Sequence, residues 1–304
     1  TGILTILLLA STQISEKLDN NSRDIDLVVG AKGSPLQLVL SSIYYIDFPT
    51  GNIPLKEAME LAPSPFVKRA VPLALGDNYE GVRIVGTDSN FVSLYKLKTA
   101  QGRFWEKDFE TTIGAAVAIQ QGLKIGDTFY GAHGLSSSSD VHKEHQYTVS
   151  GILEHQGNVT DNLILTNIKS VWKMHDEHDD HDHDSHEGHN HPPGEAHHHD
   201  DESRELTSLL IQYRSPMSVA MFPRMVNETT NMQAASPAQE STRLFSLIGV
   251  GVDTLQWFAI LIMLIAAISV FVNLYNSLKE RSYDLAIMRT LGASRTKLFV
   301  IVIA

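Results

Sequence analysis

The chain has 304 residues, a formal charge of −11, 43% hydrophobic residues and no cysteine. The missing cysteine excludes disulfides and thiolate metal sites, and no basic patch interleaved with aromatics points to a nucleic-acid partner. The acidity is local: 175–205 holds 12 of the 35 Asp and Glu against one basic residue, Arg204, and so carries the whole net charge.

In chain order, Thr1–Ala10 (TGILTILLLA) is apolar but lacks the basic flank of a signal peptide. It predicts the outer half of a first transmembrane helix, residues 1–15, whose beginning is absent. Thr12–Ser22 reads as a polar helix leading away from it. Ile25–Val29 reads as a strand and Gly30–Ser34 as a turn. The glycine pair there lacks the G-x-x-x-x-G-K-[ST] spacing, so the chain carries no recognisable ATP-hydrolysing loop. Leu55–Ala62 reads as a short helix stopped by Pro63 and Pro65. Val67–Leu75 and Tyr79–Gly86 read as strands around a Gly-Asp-Asn turn. Asp88–Leu94 predicts a turn and short helix, and Gly102-Arg103-Phe104 a turn. Ala115–Gly122 predicts a strand running into a helix. A hairpin begins at Gly126-Asp127. Strands are expected at Tyr147–Leu153, Leu163–Leu165 and Leu206–Tyr213. Helices are expected at Asn167–His175, Met217–Thr230 and Gln239–Gly251. Residues 16–253 thus form an α+β extracytoplasmic domain flanked by transmembrane α-helices in a truncated membrane protein.

Residues 254–278 contain no charged side chain, about the length that crosses a bilayer at ~1.5 Å per residue. Trp257 and Tyr275 stand near its ends, where amphipathic rings favour headgroup depth. A basic segment follows, with Lys279, Arg281, Arg289, Arg295 and Lys297. A second apolar run starts at Leu298 and reaches Ala304. An excess of Lys and Arg in a short loop marks the cytoplasmic side. The expectation is a second span at 254–278, a cytoplasmic helix at 279–297 and the start of a third span at 298–304.

The segment Glu280-Arg281-x-x-Asp284-Leu285-Ala286-x-Met288-Arg289-x-Leu291-Gly292-Ala293 resembles the E-R-x-x-E-I-G-x-x-R-A-L-G-A signature of FtsX-like and MacB-like ABC transporter permeases. Asp284 replaces Glu and Ala286 replaces Gly. The order Val85-Gly86-Thr87-Asp88, Gly102-Arg103-Phe104, Gly122–Asp127 and Val149-x-Gly151-Ile152-Leu153 is similar to a MacB-like periplasmic core. The resemblance implies a non-catalytic four-span permease of the bacterial inner membrane, with its large domain in the periplasm. It implies a second permease copy, surrounding lipid and a separate cytoplasmic ABC ATPase as partners. It places the coupling to that ATPase on Glu280, Arg281, Asp284, Leu285, Met288, Arg289, Leu291 and Gly292. The residues fit such a role: the charges suit charge-assisted contacts, and Leu285, Met288 and Leu291 recur at i, i+3, i+6. The span has no Asp, Glu, Lys, Arg or His, as an ion path would need.

The segment 175–199 holds ten of the fourteen histidines: His175, His178, His181, His183, His186, His189, His191, His197, His198 and His199. Imidazole beside carboxylate suits Zn2+ and also copper or nickel. Low hydrophobicity and Pro192-Pro193-Gly194 predict a disordered insert, 175–205, that collects divalent metal weakly at many sites. His142-x-x-His145 is a second, weaker candidate. A periplasmic metal-binding or adaptor protein is a further expected partner. Two other readings stay open: a lipoprotein-release, efflux or hydrolase-activating permease with an incidental insert, and a metal-sensing receptor ectodomain.

Overall fold

The computed structural model describes residues 9, 13, 16–17, 20–133, 145–179, 204–280, 282–294 and 296. The expected first span at 1–15, most of the histidine-rich insert, Arg281 and the expected third span at 298–304 lie wholly or largely outside that set. The chain forms two compact units, Gln13–Leu244 and a second made of Thr1–Thr12 with Phe245–Ala304.

Among its described residues the first unit is built on one mixed sheet, ordered β13 (Met232–Ala235), β1 (Leu27–Ala31), β12 (Ser208–Tyr213), β3 (Val67–Tyr79), β4 (Val82–Thr87), β10 (Ile164–Asn167), β6 (Glu110–Ile113), β9 (Tyr147–Leu153) and β5 (Thr99–Gly102). Short strands β7 (Thr128–Phe129) and β8 (Ala132–His133) pair with β9 and β3. A separate two-stranded pair joins β2 (Ile53–Pro54) to β11 (Glu205–Leu206). The β10–β4 and β6–β9 pairs are parallel and the rest antiparallel. This is a mixed α/β domain.

Strand β3 joins the two halves of the sheet. Its residues Val67–Leu73 pair with β12, while Ala74–Tyr79 pair with β4. At the changeover Thr207 stitches the backbone: its N–H donates to the Leu73 carbonyl, and its Oγ1 accepts the Leu75 N–H at 2.9 Å. Strands buried on both faces need apolar residues in succession rather than in alternation. Leu27 and Val29 of β1 enter one core with Leu209 and Ile211, while Val28 and Leu210 enter the core on the opposite face. A third cluster gathers Ile84, Ile113, Phe129, Tyr147, Val149 and Ile164.

Helices cover the sheet. They are α1 (Pro35–Val39), which runs into a π-helical turn at Leu40–Tyr44, then α2 (Leu55–Glu60), α3 (Ser89–Tyr95), α4 (Ala115–Gln121), α5 (Ile168–Asp179) and α6 (Met217–Thr229). Asp88 caps α3 by accepting the Asn90 N–H at 2.9 Å, as a short acidic side chain does at a helix start. Burial raises the Asp88 pKa, with Asn90 opposing the shift.

Three local expectations need correction. Gly76-Asp77-Asn78 is not a turn: β3 runs through it, because Asp77 and Asn78 pair with β8. The reversal sits at Glu80-Gly81, with φ of 49° and 81°, and the Asn78 carboxamide oxygen accepts the Gly81 N–H at 3.0 Å. Two successive positive φ values match the twist of a tight hairpin. Ala115–Gln121 is helix from its first residue, and the strand lies just upstream as β6. The histidine-rich segment keeps helical backbone through Asp179, and Glu205 is already paired in β11.

In the second unit, helix α7 (Pro237–Glu280), which begins in the first unit, carries the apolar stretch Thr254–Ser277. That stretch is long and apolar enough to cross a membrane, and none of its side chains is buried. Helix α8 (Ser282–Thr290) follows.

Candidate functional site

Helix α8 stops in a Schellman cap. The Gly292 N–H donates to the Arg289 carbonyl at 3.2 Å, and the Ala293 N–H reaches back to Met288 at 3.0 Å. That closure requires a left-handed residue after the last helical turn, and Gly292 takes φ +96°. The Leu-Gly-Ala of the signature is therefore a helix stop. Glu280 ends α7 and is exposed, as are Arg289 and Leu291, whereas Met288 is half-exposed. Asp284 and Leu285 lie within α8, and their side chains fall outside the described set, as does Arg281.

Among the described side chains of α8 an exposed apolar series appears at a spacing other than the expected one, whose Leu285 side chain lies outside the described set. Tyr283, Ile287 and Leu291 are 76%, 43% and 81% exposed, and they recur at i, i+4, i+8 on one face. Sequence reasoning picked the i, i+3, i+6 series and missed Tyr283 and Ile287. The i+4 spacing was the available signal.

Few of the candidate histidines are among the described residues. His175 and His178 sit on the last turns of α5, while His181, His183, His186, His189, His191, His197, His198 and His199 lie outside the described residues. His142 does too. His145 stacks on Phe109 with ring centroids 4.5 Å apart, and the backbone of His133 pairs with that of Asp77 between β8 and β3. Among the described residues no group of three His, Asp or Glu could hold a metal ion.

A cleft of about 660 Å³ opens within the first unit. Its walls include Lys17, Tyr44, Tyr45, Arg83, Ala116, His155, Val159, Asp161 and Leu163. Asn21 holds one side: its Oδ1 accepts the Val159 N–H at 2.8 Å, and its carbonyl accepts the Tyr95 hydroxyl at 3.4 Å. Asp161 is nearly fully buried and accepts the Gln156 and Gly157 N–H groups at 2.8 and 2.7 Å, with His155 Nδ1 at 3.0 Å. Its charge is thus committed to the loop. Tyr45 takes φ +56° directly after the π-helical turn, a strained backbone for a bulky residue. The Tyr45 hydroxyl and Arg83 Nε are buried without a hydrogen-bond partner among the described residues. Burial pushes the Tyr45 pKa well up, and Tyr95 adds to the shift. Burial lowers the Arg83 pKa, and Asp47 partly opposes this. Arg83 Nη2 donates to the Asp47 carbonyl at 2.7 Å, and the guanidinium lies 6.0 Å from the Phe48 ring centre.

The glycine motifs of the middle of the chain are scaffolding. Gly151 of β9 lies opposite Gly102 of β5. A Cβ at Gly151 would fall 2.2 Å from the Arg103 carbonyl oxygen, so only glycine lets the two segments meet. Arg103 then reaches Glu110 with two bonds of 2.8 and 2.7 Å. That pair, with the Glu106 and Lys107 N–H groups, holds the Glu110 carboxyl down at about 2. Asp127 closes the neighbouring turn by accepting the Lys124 N–H at 2.8 Å.

Comparison with known proteins follows this geometry. The periplasmic region of MacB from Actinobacillus actinomycetemcomitans is similar at 10% identity and TM-score 0.42, over 75% of this chain and 97% of that one. The extracellular domain of the noncanonic ABC-type transporter YknZ from Gram-positive bacteria is similar at 12% identity and TM-score 0.40, over 70% and 99%. A domain of a permease protein from Porphyromonas gingivalis is similar at 14% identity and TM-score 0.35, over 69% and 88%. No curated protein matches the chain. The family model of the MacB-like periplasmic core domain matches residues 1–228, three quarters of the sequence, and the chain belongs to that family.

Proposed function

We propose that this chain is a permease subunit of an ABC transporter, non-catalytic itself, whose extracytoplasmic α/β domain responds to ATP hydrolysis on a separate cytoplasmic subunit. The observation that carries the reading is the end of the chain. An uncharged helix of 24 residues, Thr254–Ser277, is followed within a few residues by a capped helix with an exposed apolar stripe. Membership of the MacB-like family supports it. In this reading Thr254–Ser277 crosses the inner membrane towards the cytoplasm, the basic residues hold α8 there, and α8 docks on the ATPase. A second permease copy completes the assembly. Deleting Tyr283–Thr290 abolishes stimulation of the partner ATPase, measured as phosphate release in reconstituted membranes, while the circular dichroism of the extracytoplasmic domain is kept. Unchanged stimulation overturns the reading.

The histidine-rich segment adds a metal-handling role to this proposal. Ten imidazoles among carboxylates suit Zn2+ or a similar divalent ion as cargo or signal. Calorimetric titration of the intact chain with Zn2+ is expected to show several sites, lost on deletion of residues 175–199. Absence of binding at micromolar Zn2+ removes the metal role and leaves the permease reading with an incidental insert.

A further inference from the structure

None of the proposed coupling residues lines the cleft beside Arg83. We propose that it takes a small organic anion with an apolar body, a medium-length aliphatic or aromatic carboxylate, whose carboxylate is held by Arg83.

The charge argument comes first. Arg83 is only 5% exposed, and among the described residues Nη2 alone is engaged. A buried cation with unused donors is costly, and a carboxylate is the partner that matches the guanidinium fork. Lys17 adds a second, exposed cation to the wall. The one carboxylate in the wall, Asp161, is occupied by two backbone N–H groups and His155, and Asp47, which does not line the cleft, offsets Arg83 only in part. The cleft therefore favours an anion over a cation.

The apolar argument is independent. Ala116, Val159, Leu163 and the two tyrosine rings supply hydrocarbon to the same walls. Inorganic phosphate would leave this surface unused. The volume falls in the range of roughly 300–1,000 Å³ common for small-molecule sites. The strained Tyr45 and its π-helical turn are the kind of local irregularity that functional sites retain.

The test uses the full chain in lipid nanodiscs, titrated calorimetrically with hexanoate and benzoate against an empty-nanodisc blank. Hexan-1-ol and inorganic phosphate serve as the uncharged and the apolar-free comparisons. Saturable binding of a carboxylate is expected, with Kd on the order of 1 mM or tighter. Arg83→Met should weaken it about tenfold or more. Because that change also removes the bond to Asp47, Ala116→Phe is the second variant. It fills the cleft from α4, leaves Arg83 in place and is expected to give a similar loss. The proposal is overturned by no carboxylate binding up to about 10 mM, by hexan-1-ol or phosphate binding as well as hexanoate does, or by both variants binding like the parent. ATPase stimulation is a separate readout, so failure here leaves the permease reading standing.

Discussion

Replacing both Ile287 and Leu291 by Asp is expected to uncouple the partner ATPase as completely as removing α8. Both side chains belong to the exposed stripe, so the isolated helix loses little; Asp costs only a few tenths of a kcal/mol in an exposed helix position relative to ordinary residues. In a docked complex the two carboxylates would be buried without partners, at a cost of about 3 kcal/mol or more for the pair. That is at least a hundredfold in affinity. The measurement is ATPase stimulation in reconstituted membranes, with binding of the purified ATPase to the permease as a second readout. Met288→Asp is the informative comparison. If it uncouples while Ile287→Asp alone does not, the docking face is the i, i+3 series through Leu285, Met288 and Leu291, and the stripe through Tyr283 and Ile287 is incidental.

Gly151→Val is expected to have the largest effect on stability. A Cβ there meets the Arg103 carbonyl oxygen at 2.2 Å and the Arg103 carbonyl carbon at 3.0 Å, both backbone atoms in a segment pinned by the Arg103–Glu110 pair. Neither can swing aside as the tip of a side chain would. Overpacking against backbone costs about 3 kcal/mol or more. For a domain of this size that lowers Tm by roughly 6–12 °C. Thermal unfolding of the intact chain, followed by far-UV circular dichroism, checks it; a shift below about 1 °C would falsify the claim that the two segments need glycine to meet.

Much of the domain could be read from the residues because pattern and packing agree there. Tyr147–Leu153 was placed with its observed bounds, since Tyr147, Val149, Gly151 and Leu153 alternate with less buried residues. Asp88–Leu94 was read as a turn and short helix, and Asp88 caps the helix observed there. Gly76-Asp77-Asn78 has turn composition, but pairing with β8 on one side and continuity with β4 on the other override it. The π-helical turn after α1 and strand β13 carry no distinctive periodicity and were not anticipated. The cleft could not be read at all, because it gathers residues from Lys17 to Leu163 across several elements. The histidine run is visible as composition, but composition does not fix which imidazoles meet. On α8 Leu291 was recognised and Tyr283 and Ile287 were not, since both i+3 and i+4 series were available.

Strand β3 has a mechanical meaning for a domain proposed to be worked from outside. A load pulling on one half of the sheet reaches the other along a single covalent backbone, Val67 through Tyr79, instead of across a seam of hydrogen bonds that could unzip one by one. The ladder between that tie and β4 loses register between Leu75 and Asn78, where β8 pairs with Asp77 and Asn78 instead. A load on the tie also presses on a shared interior, because one apolar cluster packs Val28, Val71 and Leu210 of one half beside Val85, Leu153 and Leu165 of the other.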